Sequence, residues 1–164
     1  MNCAPERAIN LANRDTERHV LVAVDESANS KRAVMYIADF FSGAREIFIT
    51  LLSILPEPSE DFFPTDEARL TWIEEKKSAM EGVLAGYQEI LRGAGFTDEQ
   101  IASHLVIRPC TSVAEVILEE QKRLHSCIVV VGRRGITHQE EFVFGSTSNK
   151  ILHQAQNCAV LVVE

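Results

Sequence analysis

His19-Val20-Leu21-Val22-Ala23-Val24-Asp25 is a continuous apolar run rich in β-branched residues, with no polar alternation. That pattern belongs to a strand covered on both faces, as in a parallel sheet flanked by helices. Asp25, Glu26 and Ser27 follow at once and are residue types that cap helices. Beyond them Val34, Ile37, Ala38 and Phe41 fall at i, i+3, i+4 and i+7, a single helical stripe. Gly43 stands where a left-handed helix terminus is expected.

Moving outward, the same cycle repeats. Ile47-Phe48-Ile49-Thr50-Leu51-Leu52 reads as a second strand, stopped by a stretch holding Pro56, Pro58 and Pro64. Thr65-Asp66-Glu67 opens a long helix, with acidic residues where the helix dipole favours them. Its apolar positions include Ile73, Met80, Leu84, Tyr87 and Leu91, and Gly93 and Gly95 end it. The run Glu74-Glu75-Lys76-Lys77 reads as a solvated face of that helix. Leu105-Val106-Ile107 is a third strand, and Ser112 with Glu115 has capping-box spacing ahead of Val113, Val116 and Ile117. Cys127 to Val131 is a fourth strand, residues 147–154 a last helix, and Ala159 to Val163 a fifth strand.

Strands alternating with helices require right-handed crossovers, so the expected fold class is α/β. It is an open, five-stranded parallel sheet with helices on both faces. Residues 18–164 form one domain, preceded by a polar extension over residues 1–17. In such sheets ligands bind beyond the carboxyl ends of the strands, near the point where strand order reverses. The segments after Asp25, Leu52, Ile107 and Val131 are therefore the places to look.

Composition narrows the function. With 164 residues, 46% of them hydrophobic, the chain supports a sizeable core without a disulfide or metal staple. The net charge of −8 argues against nucleic acid as a partner. No apolar h-region begins the chain and no stretch is long enough to span a membrane, so a cytoplasmic protein is expected. The four cysteines (Cys3, Cys110, Cys127, Cys158) have no Cys-x-x-Cys spacing. Cys127 and Cys158 open apolar runs and read as small buried hydrophobes, so neither a disulfide nor a zinc site is expected. The five histidines also lack metal-ligand spacing.

The chemistry concentrates near the C-terminal end. Gly132-Arg133-Arg134-Gly135 follows the fourth strand directly, and Gly145-Ser146-Thr147-Ser148 opens the last helix. A helix N-terminus presents unpaired amides and a partial positive charge, which suit phosphate. Glycines let backbone approach a ligand closely. Ser146 and Thr147 add hydroxyl donors, with Ser148 as a further candidate.

The pattern Gly-x2-Gly-x9-Gly-Ser, carried by Gly132, Gly135, Gly145 and Ser146, resembles the nucleotide-binding motif of ATP-binding universal stress proteins. The start Val22-Ala23-Val24-Asp25 and the valine-rich closing strand resemble that family too. The resemblance implies a Rossmann-like sheet of the nucleotide-binding alpha hydrolase type. It also implies ATP in the crevice, with Mg2+ as a candidate companion, and a homodimer that pairs the strands at residues 159–163. By position, Asp25 matches the acidic residue that faces the nucleoside, and Ala23 stands where some members carry proline. Ile49 matches the strand-two residue whose backbone meets adenine, with Thr50 the alternative. Val131 and Gly132 match the ribose lining. Gly135, Gly145, Ser146, Thr147 and Ser148 match the phosphate-contacting set.

Two departures stand out. Arg133-Arg134 fills the first glycine gap and either clamps phosphate or points into solvent. Glu140-Glu141 in the second gap opposes polyphosphate unless the carboxylates face away or hold a metal ion. No Gly-x4-Gly-Lys-[Ser/Thr] segment and no Gly-x-Ser-x-Gly elbow occurs, so no catalytic residue is assigned and ATP turnover is expected to be slow at most. The expected function is a nucleotide-responsive stress or regulatory protein acting on protein partners. The alternative is a dimeric interaction module of the same fold that binds no nucleotide. A flavin carrier has little support, because Trp72, Tyr36 and Tyr87 lie in predicted helices.

Overall fold

The computed structural model describes residues 18–133 and 145–164. The elements run β1 (Arg18–Ala23), α1 (Ala28–Phe40), β2 (Ile47–Pro56), α2 (Asp66–Gly93), β3 (Ile101–Arg108), α3 (Val113–Leu124), β4 (Ile128–Gly132), α4 (Ser146–Gln154) and β5 (Ala159–Val163). Short 3-10 turns at Glu60–Phe62 and Asp98–Gln100 precede α2 and β3. All five strands are parallel and ordered β3-β2-β1-β4-β5.

Alternation along β1 divides the core. Val20 and Val22 face α1 and α2, where they meet Ala33, Val34, Ile37, Leu84, Tyr87 and Leu91. Leu21 faces α3 and α4, where Ala114, Ile117, Leu118 and Ile151 pack with Val129 and Val131. Both faces of the strand are thus buried, which is why its sequence carries no polar alternation. Each such aliphatic side chain contributes about 1.5–3 kcal/mol by leaving water.

Helix boundaries follow local chemistry. Ser27 caps α1 by accepting from the Ser30 amide, and Thr65 caps α2 by accepting from the Ala68 amide. Gly43 (φ +79°) and Gly95 (φ +98°) take left-handed conformations just past α1 and α2, the region glycine enters at no steric cost.

Three details depart from the sequence reading. Strands β2 and β3 are longer than expected, reaching Pro56 and starting at Ile101, because each extends as far as its neighbour offers backbone partners. The Ser112–Glu115 capping box does not form: Lys150 Nζ donates to Ser112 Oγ at 3.1 Å and to Glu115 Oε1 at 2.6 Å instead. That lysine fastens α4 to the start of α3. Cys127 is exposed rather than buried, since it precedes β4 at the sheet rim, and Cys158 is half-buried.

Candidate nucleotide site

Strand order runs outward from β1 to β2 and β3, then returns to place β4 on the other side of β1. The reversal point is therefore between β1 and β4, the position at which doubly wound sheets open a crevice. Ala23 pairs with Val131 at the carboxyl ends of these two strands. Asp25 and Gly132-Arg133 follow immediately. The fold thus brings Ala23, Asp25, Val131, Gly132 and Arg133 to one sheet end.

Asp25 organises the start of α1. Its Oδ1 accepts from the Ser27 amide at 2.9 Å and from Ser30 Oγ at 2.7 Å, and its own amide donates to Ser30 Oγ at 2.9 Å. Among the described residues no bond engages Oδ2. The Asp25 carbonyl accepts from the Tyr87 hydroxyl at 2.8 Å. Burial, with Asp25 and Glu26 nearby, pushes the Tyr87 phenol up from its usual range, so it stays a donor. Asp25 therefore buttresses the Ser27 cap through Oδ1, and its Oδ2 takes no bond among the described residues.

Gly132 passes close over the first turn of α1. A Cβ there would lie 3.0 Å from Asn29 Cβ and 3.2 Å from the Asn29 carbonyl carbon. Arg133 is fastened to the end of β5, its amide donating to Val163 O at 2.7 Å and its guanidinium pairing with Glu164 at 2.5 Å. The Arg133 carbonyl in turn accepts from the Gly145 amide at 2.9 Å, closing the base of the glycine segment.

Gly145 is the N-cap of α4, with no side-chain cap bond. Among the described residues no acceptor engages the amides of Ser146, Thr147 or Ser148. The Ser146 side chain is exposed and Thr147 is half-buried. Ser148 differs from the sequence reading: it is 2% exposed, and its hydroxyl is directed at the carbonyls of Arg133 (2.9 Å) and Gly145 (3.1 Å). It braces the turn rather than offering a hydroxyl to a ligand. Gly135, Arg134, Glu140 and Glu141 lie outside the described residues.

Ile49 is not brought to this end. It is fully buried and pairs with Val20 and Ile101, three residues short of the Ala23–Leu52 pair, or about 10 Å at strand rise. Thr50 is no closer to the crevice, and its hydroxyl bonds His19 Nε2 at 2.7 Å. At the crevice end β2 presents Ile54 rather than Ile49. It lies two residues past Leu52, level with Asp25, and is half-buried against the α3–α4 core. The signal for it was Ile54-Leu55, which resumes the apolar run after Ser53 and argues for a longer strand.

A cavity of about 600 Å³ opens farther along the same sheet end, between the exits of β2 and β3 and the start of α3. Arg69 and Arg108 line it, but each is already paired, with Glu57 and Glu119 respectively. Glu60 and Glu115 add further carboxylates, so its charge disfavours polyphosphate. Among the described residues, the α4 amides that have no acceptor are the feature suited to an anion. Among the described residues no group of three donor side chains is arranged to hold a metal ion. Nor is any helix among them long and apolar enough to cross a membrane.

Residues 17–164 match the family model described as the universal stress protein family. A Staphylococcus haemolyticus protein named as a universal stress protein is 27% identical over 152 residues, covering 90% of this chain and 85% of the relative. The structure of the universal stress protein UspA from Lactobacillus plantarum superposes with a TM-score of 0.73 at 16% identity, covering 91% of this chain and 99% of that one. The Archaeoglobus fulgidus universal stress protein in complex with dAMP gives a TM-score of 0.60 at 21% identity, covering 90% and 98%. These structural likenesses show a shared fold.

Proposed function

The chain belongs to the universal stress protein family, and from that premise we propose that it binds adenine nucleotide, ATP foremost, between the ends of β1 and β4. The observation that carries this reading is the start of α4, where the Ser146, Thr147 and Ser148 amides have no acceptor among the described residues. Such an end receives anionic oxygens through its N–H groups and its dipole. In this reading the Ser146 and Thr147 amides take phosphate oxygens, and Gly132 leaves room for the sugar. Asp25 Oδ2 accepts from a nucleoside hydroxyl or amine, and Ile54 supplies an apolar edge for the base. Mg2+, if recruited, is carried by the phosphates. The dAMP bound by the Archaeoglobus protein supports an adenine nucleotide as the ligand class.

With no P-loop lysine in the sequence, hydrolysis is slow at most, and the protein acts by binding. It serves a regulatory role in the cytoplasm, nucleotide shifting the balance between two states that protein partners distinguish. Among the described residues β5 is an edge strand, and a second copy pairing along Ala159–Val163 would give its outer backbone groups partners.

Calorimetric titration tests the ligand. The wild-type chain gives a one-site heat with ATP, and Gly145→Val removes it. Gly145 sits at φ −62°, ψ 158°, a conformation valine adopts readily, so that variant probes access rather than backbone strain. No heat with wild-type protein overturns the proposal. A second reading, an interaction module without nucleotide, draws on the Arg133–Glu164 pair and on Asp25 Oδ1 being spent on Ser27 and Ser30. It predicts a melting temperature unmoved by millimolar ATP.

A further inference from the structure

Cys127 and Cys158 are far apart in sequence, yet the sheet sets them side by side. The β4–β5 register pairs Ile128 with Ala159, so one step back along both strands places Cys127 opposite Cys158. The ladder continues to that position, with the Ala159 amide donating to the Cys127 carbonyl at 2.9 Å. Neighbouring strands lie about 4.7–4.9 Å apart, and disulfides span Cα separations of about 4.4–6.8 Å. Both residues share the parity of Val129 and Val160, so they belong to the α3–α4 face, where Cys158 packs.

We propose that Cys127 and Cys158 form a peroxide-oxidisable dithiol, closing to a disulfide that staples the two ends of the β4–α4 segment. This proposal does not rest on nucleotide binding. Both thiols are free in this structure, which is the reduced state. Cys127 is exposed and is the sulfur that meets the oxidant. Its Sγ donates weakly to the His19 carbonyl at 3.2 Å, so closure requires a turn about χ1 toward β5. Cys158 is less accessible, and burial together with the neighbouring Cys127 pushes its thiol up from the ordinary value. It therefore acts second.

The chemistry balances with hydrogen peroxide as the oxidant. The Cys127 sulfur attacks one peroxide oxygen, the O–O bond breaks, and Cys127 sulfenic acid and water result. The Cys158 sulfur then attacks the Cys127 sulfur. The S–S bond forms, the S–O bond breaks, and the hydroxyl leaves as water with the Cys158 thiol proton. The two sulfurs give up two electrons and the peroxide oxygens receive them. The resulting cross-link encloses residues 127–158, which include all of β4, the glycine segment and α4.

The test treats the full-length protein with one equivalent of hydrogen peroxide, caps the remaining thiols with N-ethylmaleimide and maps peptides by mass spectrometry. The expected result is a Cys127–Cys158 linked peptide within one chain, 2 Da lighter than the reduced pair. Its melting temperature should rise by roughly 5–10 °C, as expected for a closed loop of about 30 residues, and dithiothreitol should reverse the rise. Cys127→Ser and Cys158→Ser each abolish both changes. A map with no such link, a link between chains, or a link to Cys3 or Cys110 overturns the proposal.

Discussion

Replacing Gly132 with alanine probes the contact between β4 and α1 on which the crevice depends. The added methyl would lie 3.0 Å from Asn29 Cβ, 3.2 Å from the Asn29 carbonyl carbon and 3.3 Å from its oxygen. Carbon atoms rest at about 3.5–4.0 Å, so either the end of β4 or the first turn of α1 must retreat by several tenths of an ångström. That turn is held by the Ser27 cap and by Asp25, and two of the three close atoms are backbone. The strain therefore falls in the range of a mild overpacking, about 1–2 kcal/mol. For a chain of this size it corresponds to a melting temperature lower by about 3–6 °C. Gly86→Ala in α2 is the control, because nothing lies within 4 Å of its added methyl. There the substitution should stabilise the helix by about 0.5–1 kcal/mol and raise the melting temperature by about 2–3 °C. Differential scanning calorimetry of the three proteins reads both signs. A Gly132→Ala protein that melts at or above the wild type would refute the packing argument.

Tyr87→Phe removes the donor to the Asp25 carbonyl. It should cost about 1 kcal/mol in urea unfolding with an unchanged m-value, and no shift in midpoint would show that bond to be dispensable. Glu164→Gln releases Arg133 from an exposed ion pair. Stability should change by less than about 0.5 kcal/mol, while ATP affinity rises about two- to fivefold as a negative charge near the phosphates is lost; weaker binding in calorimetry would speak against Arg133 as a clamp. The Arg123 guanidinium, with His104 adding to it, holds the Glu120 carboxyl below its usual 4.5. A depressed acid stabilises the fold fully above the ordinary value and loses that contribution as pH falls through the folded one. Glu120→Gln should therefore show a shallower loss of melting temperature below about pH 4.5 than the wild type, and parallel acid limbs would contradict this.

What the sequence disclosed was local. The apolar run of β1, the Thr65 cap of α2 and the glycine just before α4 are each decided by neighbours in sequence, and each stands where the pattern put it. The departures are tertiary. Lys150 reaches Ser112 and Glu115 from another helix, and no capping rule for α3 alone anticipates it. Strand β2 continues past Leu52 because β3 pairs with it as far as Pro56, which leaves Ile49 level with Val20 and brings Ile54 level with Asp25. The Ser148 hydroxyl looks like a ligand donor in sequence, but folding places the Arg133 carbonyl 2.9 Å away. Likewise the relation of Cys127 to Cys158 exists only in the register of β4 and β5.

Chemical shifts of individual amides report most directly on the proposed phosphate site. In a nitrogen-15-labelled sample titrated with ATP, the Ser146 and Thr147 amide protons should move downfield and saturate together with the calorimetric isotherm. Saturation by ATP with those two resonances unmoved, or no response anywhere in the spectrum, would contradict the assignment of the α4 terminus as the phosphate receptor.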